Sequence, residues 1–427
     1  MLQAALNAFR IPDLRNKILF TFMIFVIYRL AASIPVPGVD PNALNSLTHQ
    51  FAALGALSLF SGGTSSFSIV AMGVYPYITA QIAIQILQPV IPRLDELSKE
   101  GESGRNRINQ IVRYVTVPLA LLQAFGQGAL LSSRGLITNY GLFDGATFWP
   151  TLGFLLTMTA GTMFLIWLGE LITEHGIGNG ISLIIFAGII ARLPSLIGQS
   201  IVTGDYTLLI LLAVAGSLMV AAIIFMQEGQ RRIPVQYAKR VIRGNTTDGQ
   251  SSVIPLRVNS AGMIPLIFAL SIVYTPAIVA SYVSLTTNRG VRDGALWVER
   301  VFSQTSALYW LIYFVLVLLF TYFYTDIAFQ QQKLPENLQK YGGFIPGYRP
   351  GKQTSDYLRY VLNRITLAGA TFLGLVAILP WFAQLVTTNQ NLPLSSTALL
   401  IVVAVVLDTM KQLQAQLLMR RYESFIR

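Results

Sequence analysis

The stretch LYWLIYFVLVLLFTYFY, Leu308 to Tyr324, lies within a run from Val301 to Thr325 that holds no Asp, Glu, Lys or Arg. About 20 apolar residues suffice for a helix to cross the hydrocarbon of a bilayer, because its backbone polar groups are satisfied inside the segment and lipid supplies no water to replace them. The rest of the chain supports that reading over a buried helix in a soluble domain. Of 427 residues, 53% are hydrophobic and 11% charged, whereas soluble domains are roughly 25% charged. The stretch reads as a membrane span, and the chain as an all-α membrane protein.

Working outward, nine more segments qualify: Ile18 to Ile34, Ile69 to Ile91, Tyr114 to Leu131, Trp149 to Ile172, Ile181 to Ile197, Leu208 to Met226, Met263 to Val283, Ile365 to Val386 and Leu394 to Met410. The first is followed by long loops and has no small-residue cleavage site, so it is expected to be a retained helix and not a signal peptide. Lys and Arg fall unevenly between alternate loops, 24 of the 30 on the side that also holds both termini. By the positive-inside rule that side is the cytoplasm. The expected layout is a cytoplasmic N-terminal segment 1–17, a half from 18 to 205, a second half from 206 to 412 and a cytoplasmic tail 413–427. Five spans in each half would make two related halves inverted relative to each other.

The net charge of +11 reports first on topology and anionic lipid, and only secondarily on RNA. With no cysteine, disulfides and thiolate chemistry are excluded, and the two histidines, His49 and His175, are too far apart in sequence to suggest a paired motif. Ionisable residues mark ion pathways in pumps. Here Arg29, Glu170, Asp326 and Asp408 all fall near span ends, which weakens the reading as a secondary transporter. GIGNGIS, from Gly176, lacks the strand and the spacing of a nucleotide-binding loop and reads as a helix-start turn. The chain is read as a non-enzyme without metal or cofactor, driven by a partner; a membrane-bound scaffold is the other rival.

Three loops stand out. Between the first two spans, Phe51 to Ser68 holds a short apolar run closed by Gly62 and Gly63; by pattern alone it is an external loop with one amphipathic turn. The loops 228–257 and 330–359 are long, basic and rich in turn residues. Loops of that length usually serve a function, and the Gly and Pro residues from Gly342 to Gly351 fix a tip presenting Arg349 and Lys352, which suits docking.

IPVPGV (Ile34 to Val39), LFSGG (Leu59 to Gly63), KEGESGR (Lys99 to Arg105), ITEHGIGNGISLIIFAGI (Ile172 to Ile189), RRIPVQYAKR (Arg231 to Arg240), YGGFIPGYRPG (Tyr341 to Gly351) and QLLMRRYESF near the end occur in that order. Carrying these motifs along nearly its whole length, the chain resembles the SecY/Sec61-alpha family. The resemblance implies two inverted five-helix halves closing like a clamshell around a central pore, assembled with SecE and SecG in the bacterial plasma membrane. It also implies passage of unfolded preproteins and signal sequences, driven by SecA or by a translating ribosome, whose rRNA would meet the basic loops.

By the same resemblance, Val74, Ile78, Ile181, Ile185, Ile267 and Ile401 form an apolar pore ring; without it, each is a packing residue. Val74 with Ile78, and Ile181 with Ile185, are spaced i, i+4, which places each pair on one helix face. Such a ring holds back ions by dewetting. Leu54, Leu57, Leu59, Phe60, Ser61, Gly62, Gly63 and Phe67 would belong to a plug. Thr79, Gln123 and Thr275 would line a lateral gate between the second and third spans and the seventh and eighth, through which segments reach membrane lipids. Arg240, Arg243, Tyr341, Arg349 and Lys352 would dock SecA or the ribosome.

Overall fold

The structure, a computed structural model, describes residues 11–39, 68–88, 90–133, 136–137, 140–141, 145–191, 206–237, 241–242, 245–246, 251–262, 264–284, 288–303, 306–332, 334–386 and 396–426. Among them the order is α1 (Pro12–Ser33), α2 (Tyr75–Leu87), α3 (Pro92–Lys99), α4 (Glu102–Ser133), α5 (Gly145–His175), α6 (Gly180–Ile190) and α7 (Tyr206–Glu228). Four strands follow, β1 (Gln230–Tyr237), β2 (Val241–Ile242), β3 (Asn245–Thr246) and β4 (Ser251–Arg257). Then come α8 (Ile264–Val283), α9 (Arg289–Val301), α10 (Ala307–Gln332), α11 (Leu334–Lys340), β5 (Gly343–Phe344), α12 (Lys352–Val386) and α13 (Ser396–Ile426).

Each predicted span overlaps one of these helices. Among the described residues, five stretches are long and apolar enough to cross a bilayer: Pro12–Ser33, Thr147–His175, Ala307–Lys340, Lys352–Leu379 and Ala398–Met419. Shorter apolar helical stretches are Gly180–Ile190, Gly216–Glu228 and Ile264–Ala280. The helices α4, α12 and α13, of 32, 35 and 31 residues, outrun their predicted spans. At 1.5 Å per residue they extend roughly 45 to 55 Å, past the ~30 Å of hydrocarbon. A helix does not stop where the apolar residues stop, and α4 and α12 begin with charged turns.

The second span differs from its expected form. In place of a continuous helix from Ile69 to Ile91, residues 69–74 are turns, Gly73 takes φ +56°, and α2 begins at Tyr75 with Pro76 in its first turn. Proline there lacks an N–H that would have no partner anyway. Val74 is the cap and lies outside the helix, so it shares no helix face with Ile78; the two are linked instead by the Ile78 N–H donating to the Val74 carbonyl at 3.0 Å. Just before, Pro35 bridges to Ser68 and the Ile69 N–H donates to the Ile34 carbonyl at 3.0 Å. IPVPGV thus ties the end of α1 to the approach to α2. The expected plug, including Leu54, Leu57, Leu59, Phe60, Ser61, Gly62, Gly63 and Phe67, lies outside the described residues.

The chain separates into two compact units. The first comprises Met1–Leu209, Ser271–Tyr309 and Val405–Arg427. In it α1 packs on α5 and α6, and α4 packs on α2, α3 and α5. A core of Ala120, Ala124, Phe154, Leu155 and Met158 joins α4 to α5 and takes in Val36 and Met72. The helix-start reading of GIGNGIS holds: Gly178 takes φ +90°, Asn179 caps α6 by accepting from the Ser182 N–H at 3.2 Å, and the Gly180 N–H donates to Thr173 Oγ1 at 3.0 Å. A methyl on Gly180 would collide with the Gly169 carbonyl, so α5 and α6 approach backbone to backbone. Arg113 and Glu170 form an ion pair at 2.8 Å between α4 and α5.

The second unit comprises Ile210–Leu270 and Trp310–Ala404. Its two long basic loops are not separate coils. β1 runs antiparallel to β4, from Gln230 opposite Arg257 to Gln236 opposite Ser251, and also pairs with β5. Ile233 and Val235 alternate into the core with period two, where they meet Leu256, Phe329, Leu338, Ile345, Leu358 and Leu362. Pro234 is tolerated because β5 pairs only with Gln236 and Tyr237, leaving one side of β1 open at the proline.

Candidate functional site

The residues expected at the gate are drawn together near Tyr75, which sequence reasoning did not single out. Thr79 Oγ1 points back to its own helix, 2.9 Å from the carbonyls of Tyr75 and Pro76. Gln123 on α4 donates its Nε2 to Thr79 Oγ1 over a long 3.4 Å. The Gln123 Oε1 is buried and meets no donor among the described residues. Thr275 is joined to α2 by the Tyr75 phenol, whose oxygen lies 3.3 Å from Thr275 Oγ1 and donates to the Ser271 carbonyl at 3.2 Å. The same carbonyl accepts from Thr275 Oγ1 at 2.8 Å. One residue further on, Pro276 sits inside α8 and removes a backbone bond from that turn. The sequence did contain a signal for Tyr75: a tyrosine at the start of a short apolar helix, whose hydroxyl must find a partner once buried.

Of the six residues expected in the ring, five fall on four helices and Val74 caps the first of these, and the set is divided between both units. Val74 and Ile78 sit at the start of α2, and Ile181 and Ile185 one turn apart on α6, all in the first unit. Ile267 on α8 and Ile401 on α13 belong to the second. Val74, Ile78, Ile185, Ile267 and Ile401 are buried, while Ile181 is half-buried beside Gly169 of α5. Burial is common to packing and pore-lining aliphatic residues alike.

Of the docking residues, Arg240 and Arg243 lie outside the described residues. Tyr341, Arg349 and Lys352 are exposed at the end of the sheet, Tyr341 by 71%. Their backbone is well fixed. Gly342, Gly347 and Gly351 take φ +69°, +89° and +105°, which L side chains rarely adopt. The Arg349 carbonyl accepts from Thr354 Oγ1 at 2.8 Å, and Tyr348 stacks on Tyr357 with centroids 4.0 Å apart. Arg349 thus presents an exposed side chain on an ordered turn. Among the described residues no group of three or more acidic or histidine side chains is placed to hold a metal ion.

Long apolar helices, with a basic sheet following one of them in the chain, define a multi-pass α-helical membrane protein. The SecY family model matches residues 68–410, and the chain belongs to that family. It is 44% identical to the protein translocase subunit SecY of Streptomyces scabiei and 43% identical to that of Mycobacterium tuberculosis, each over 100% of both chains. Among solved structures it is similar to one described as a protein conducting channel, with a TM-score of 0.61 at 16% identity over 94% of this chain and 92% of that one. It is also similar to Sec61 in the canine ribosome-channel complex, with a TM-score of 0.56 at 16% identity and the same coverage. At that identity the likeness is one of fold.

Proposed function

We propose that the chain is the channel-forming subunit of a Sec-type translocase, which passes unfolded preproteins across a bacterial plasma membrane and releases hydrophobic segments sideways into the bilayer. The observation that carries this reading is the seam between α2 and the Ser271–Thr275 turn of α8. Two apolar helices meet there over the hydroxyls of Tyr75 and Thr275 and the Ser271 carbonyl. Lipid tails are as apolar as the helices, so apolar contact alone gives helices little reason to stay together, and hydrogen bonds between them contribute only about 0.6 kcal/mol each on average. A seam so weakly held is suited to opening. A segment of a dozen Leu-like residues gains on the order of 4 to 7 kcal/mol on entering lipid, whereas each central Arg or Lys costs about 3.

In this reading ten spans form two inverted halves, 18–205 and 206–412, with both termini in the cytoplasm. The segment 51–68 is the plug. Val74, Ile78, Ile181, Ile185, Ile267 and Ile401 form the constriction, and Thr79, Gln123 and Thr275 line the lateral gate. Arg240, Arg243, Tyr341, Arg349 and Lys352 face the driver, SecA or a ribosome with its rRNA. SecE and SecG complete the complex, and the chain itself catalyses no reaction. Full-length similarity to proteins named as translocase subunits supports the reading. The test is reconstitution: the chain copurified with a SecE-like partner and placed in proteoliposomes should import a preprotein when a motor and ATP are supplied. Assembly without import would sink it.

A further inference from the structure

We propose that α9 lies flat in the surface of the bilayer, its apolar side sunk among the lipid headgroups and its charged side in water, as an anchor between two spans. The face concerned is the one where α8 ends and α10 begins, the non-cytoplasmic one in the proposed topology. The inference rests on that topology only in taking α8 and α10 as membrane spans. Helical spacing confines all five charges of α9, on Arg289, Arg292, Asp293, Glu299 and Arg300, to an arc of about 120°. The opposite arc holds Gly290, Val291, Gly294, Trp297, Val298 and Val301 and no charge. A helix so divided, of modest overall hydrophobicity and with arginine on its polar side, is suited to lying in a membrane interface and not to crossing it.

Packing within the protein leaves much of the apolar arc uncovered. Ala295, at its edge, is buried and the neighbouring Glu299 half-buried, so α9 rests on the protein by one flank. Val291 and Trp297 remain 46% and 64% exposed, and a methyl on Gly294 would meet nothing within 4 Å. What covers the arc follows from where the chain holds it. Only residues 284–288 separate α8 from α9, and only 302–306 separate α9 from α10. The second link is a tight turn: the Ser306 N–H donates to the Ser303 carbonyl at 3.0 Å, and Ser306 Oγ accepts from the Leu308 N–H at 3.3 Å. The charge-free run of α10 starts at Val301, the last residue of α9, and Leu308 and Leu311 are already exposed. Hydrocarbon therefore begins almost directly beyond α9, and the surface within its reach is lipid. There the Trp297 indole finds the interface that tryptophan prefers, and Arg289, Arg292 and Arg300 can reach phosphate oxygens.

The chain has no cysteine, so single introduced cysteines can each carry a spin label. In the assembled complex, in vesicles of phosphatidylethanolamine and phosphatidylglycerol, collisions with oxygen, which enters lipid, and with a water-soluble nickel chelate report the depth of each label. Labels at Val291→Cys and Gly294→Cys should lie about 5 to 10 Å into the boundary between headgroups and acyl chains, and labels at Arg289→Cys and Arg292→Cys in water. Val279→Cys on α8 and Val315→Cys on α10, both at exposed positions, are the references within the spans. Trp297→Asp, which places a charge on the apolar arc, should return the Gly294→Cys label to water. Aqueous readings along all of α9, or a Gly294→Cys depth that Trp297→Asp leaves unchanged, would overturn the anchor while the reference labels keep the spans. Labels on the apolar arc shielded from both reagents would overturn it in favour of a protein partner or a second copy of the chain. Aqueous readings at Val279→Cys and Val315→Cys would remove the spans, and the anchor with them.

Discussion

Gln236 on β1 stands directly opposite Phe344 on β5. This pairing joins the two basic loops into one body seated on Ile233, Val235, Leu338, Ile345 and Leu358. Ile233 is 2% exposed at its centre. Truncation to Ala should cost about 2 to 5 kcal/mol through lost burial and a residual cavity. Both loops should loosen together: hydrogen exchange should speed up over 230–237 and over 343–351 alike. Faster exchange confined to β1 would mean that the loops are independent.

The unity of that body bears on its proposed docking role. Arg349 projects from a turn pinned by Thr354, and a guanidinium offers several donors in a plane suited to carboxylate or phosphate. Arg349→Glu should weaken binding of the motor or ribosome on the order of tenfold or more, because like charges then face each other. The fold should be unaffected, since the side chain is exposed. Binding and import must be measured together. Normal import by the purified mutant would remove Arg349 from the docking surface.

How much of this was legible in the sequence depended on the range of the interactions. Hydropathy located α10 and its fellow helices because an apolar run is a local property. Asn179 followed by Gly180 and Ile181 marked a helix start for the same reason, and the i, i+4 spacing of Ile181 and Ile185 holds within α6. Val74 was placed inside a helix that begins only after it, because hydropathy is blind to the turn at Gly73. The sheet was missed because Tyr237 and Gly343 are far apart in sequence and their strands are short. Tyr75 was missed because its partners, Ser271 and Thr275, lie on a helix nearly two hundred residues away. The expected plug and ring rest on the family resemblance, since by pattern alone the first is an external loop with one amphipathic turn and the second ordinary packing.

Gly180 gives a contrast that needs no assumption about transport. A Cβ there would collide with the backbone carbonyl of Gly169, whereas one on Gly216 in α7 would meet nothing within 4 Å. Backbone cannot step aside as a flexible side chain does, so Gly180→Ala should destabilise the α5–α6 pair by about 1 to 3 kcal/mol or more. Gly216→Ala should be neutral or stabilising by about 0.5 to 1 kcal/mol, as expected for glycine inside a helix. Thermal denaturation of the purified complex would rank the two. Equal melting temperatures would show that α5 and α6 do not approach as closely as described.

The ring can be tested through water. Ile78 and Ile185 are 3% and 4% exposed and lie on α2 and α6. If they belong to a constriction that excludes ions by dewetting, Ile78→Asn with Ile185→Asn should let water persist there. Resting ion conductance of reconstituted membranes should then rise severalfold. Signal-sequence selectivity should relax in the same mutant, because a wetted constriction resists an entering chain less. A packing role predicts the opposite pattern. Two buried amides without partners would each cost about 1 to 3 kcal/mol, lowering assembly and stability while leaving conductance per assembled complex unchanged. Conductance normalised to complex therefore separates the two roles, and an unchanged value in a stable, assembled double mutant would show that Ile78 and Ile185 pack against protein and do not face a pore.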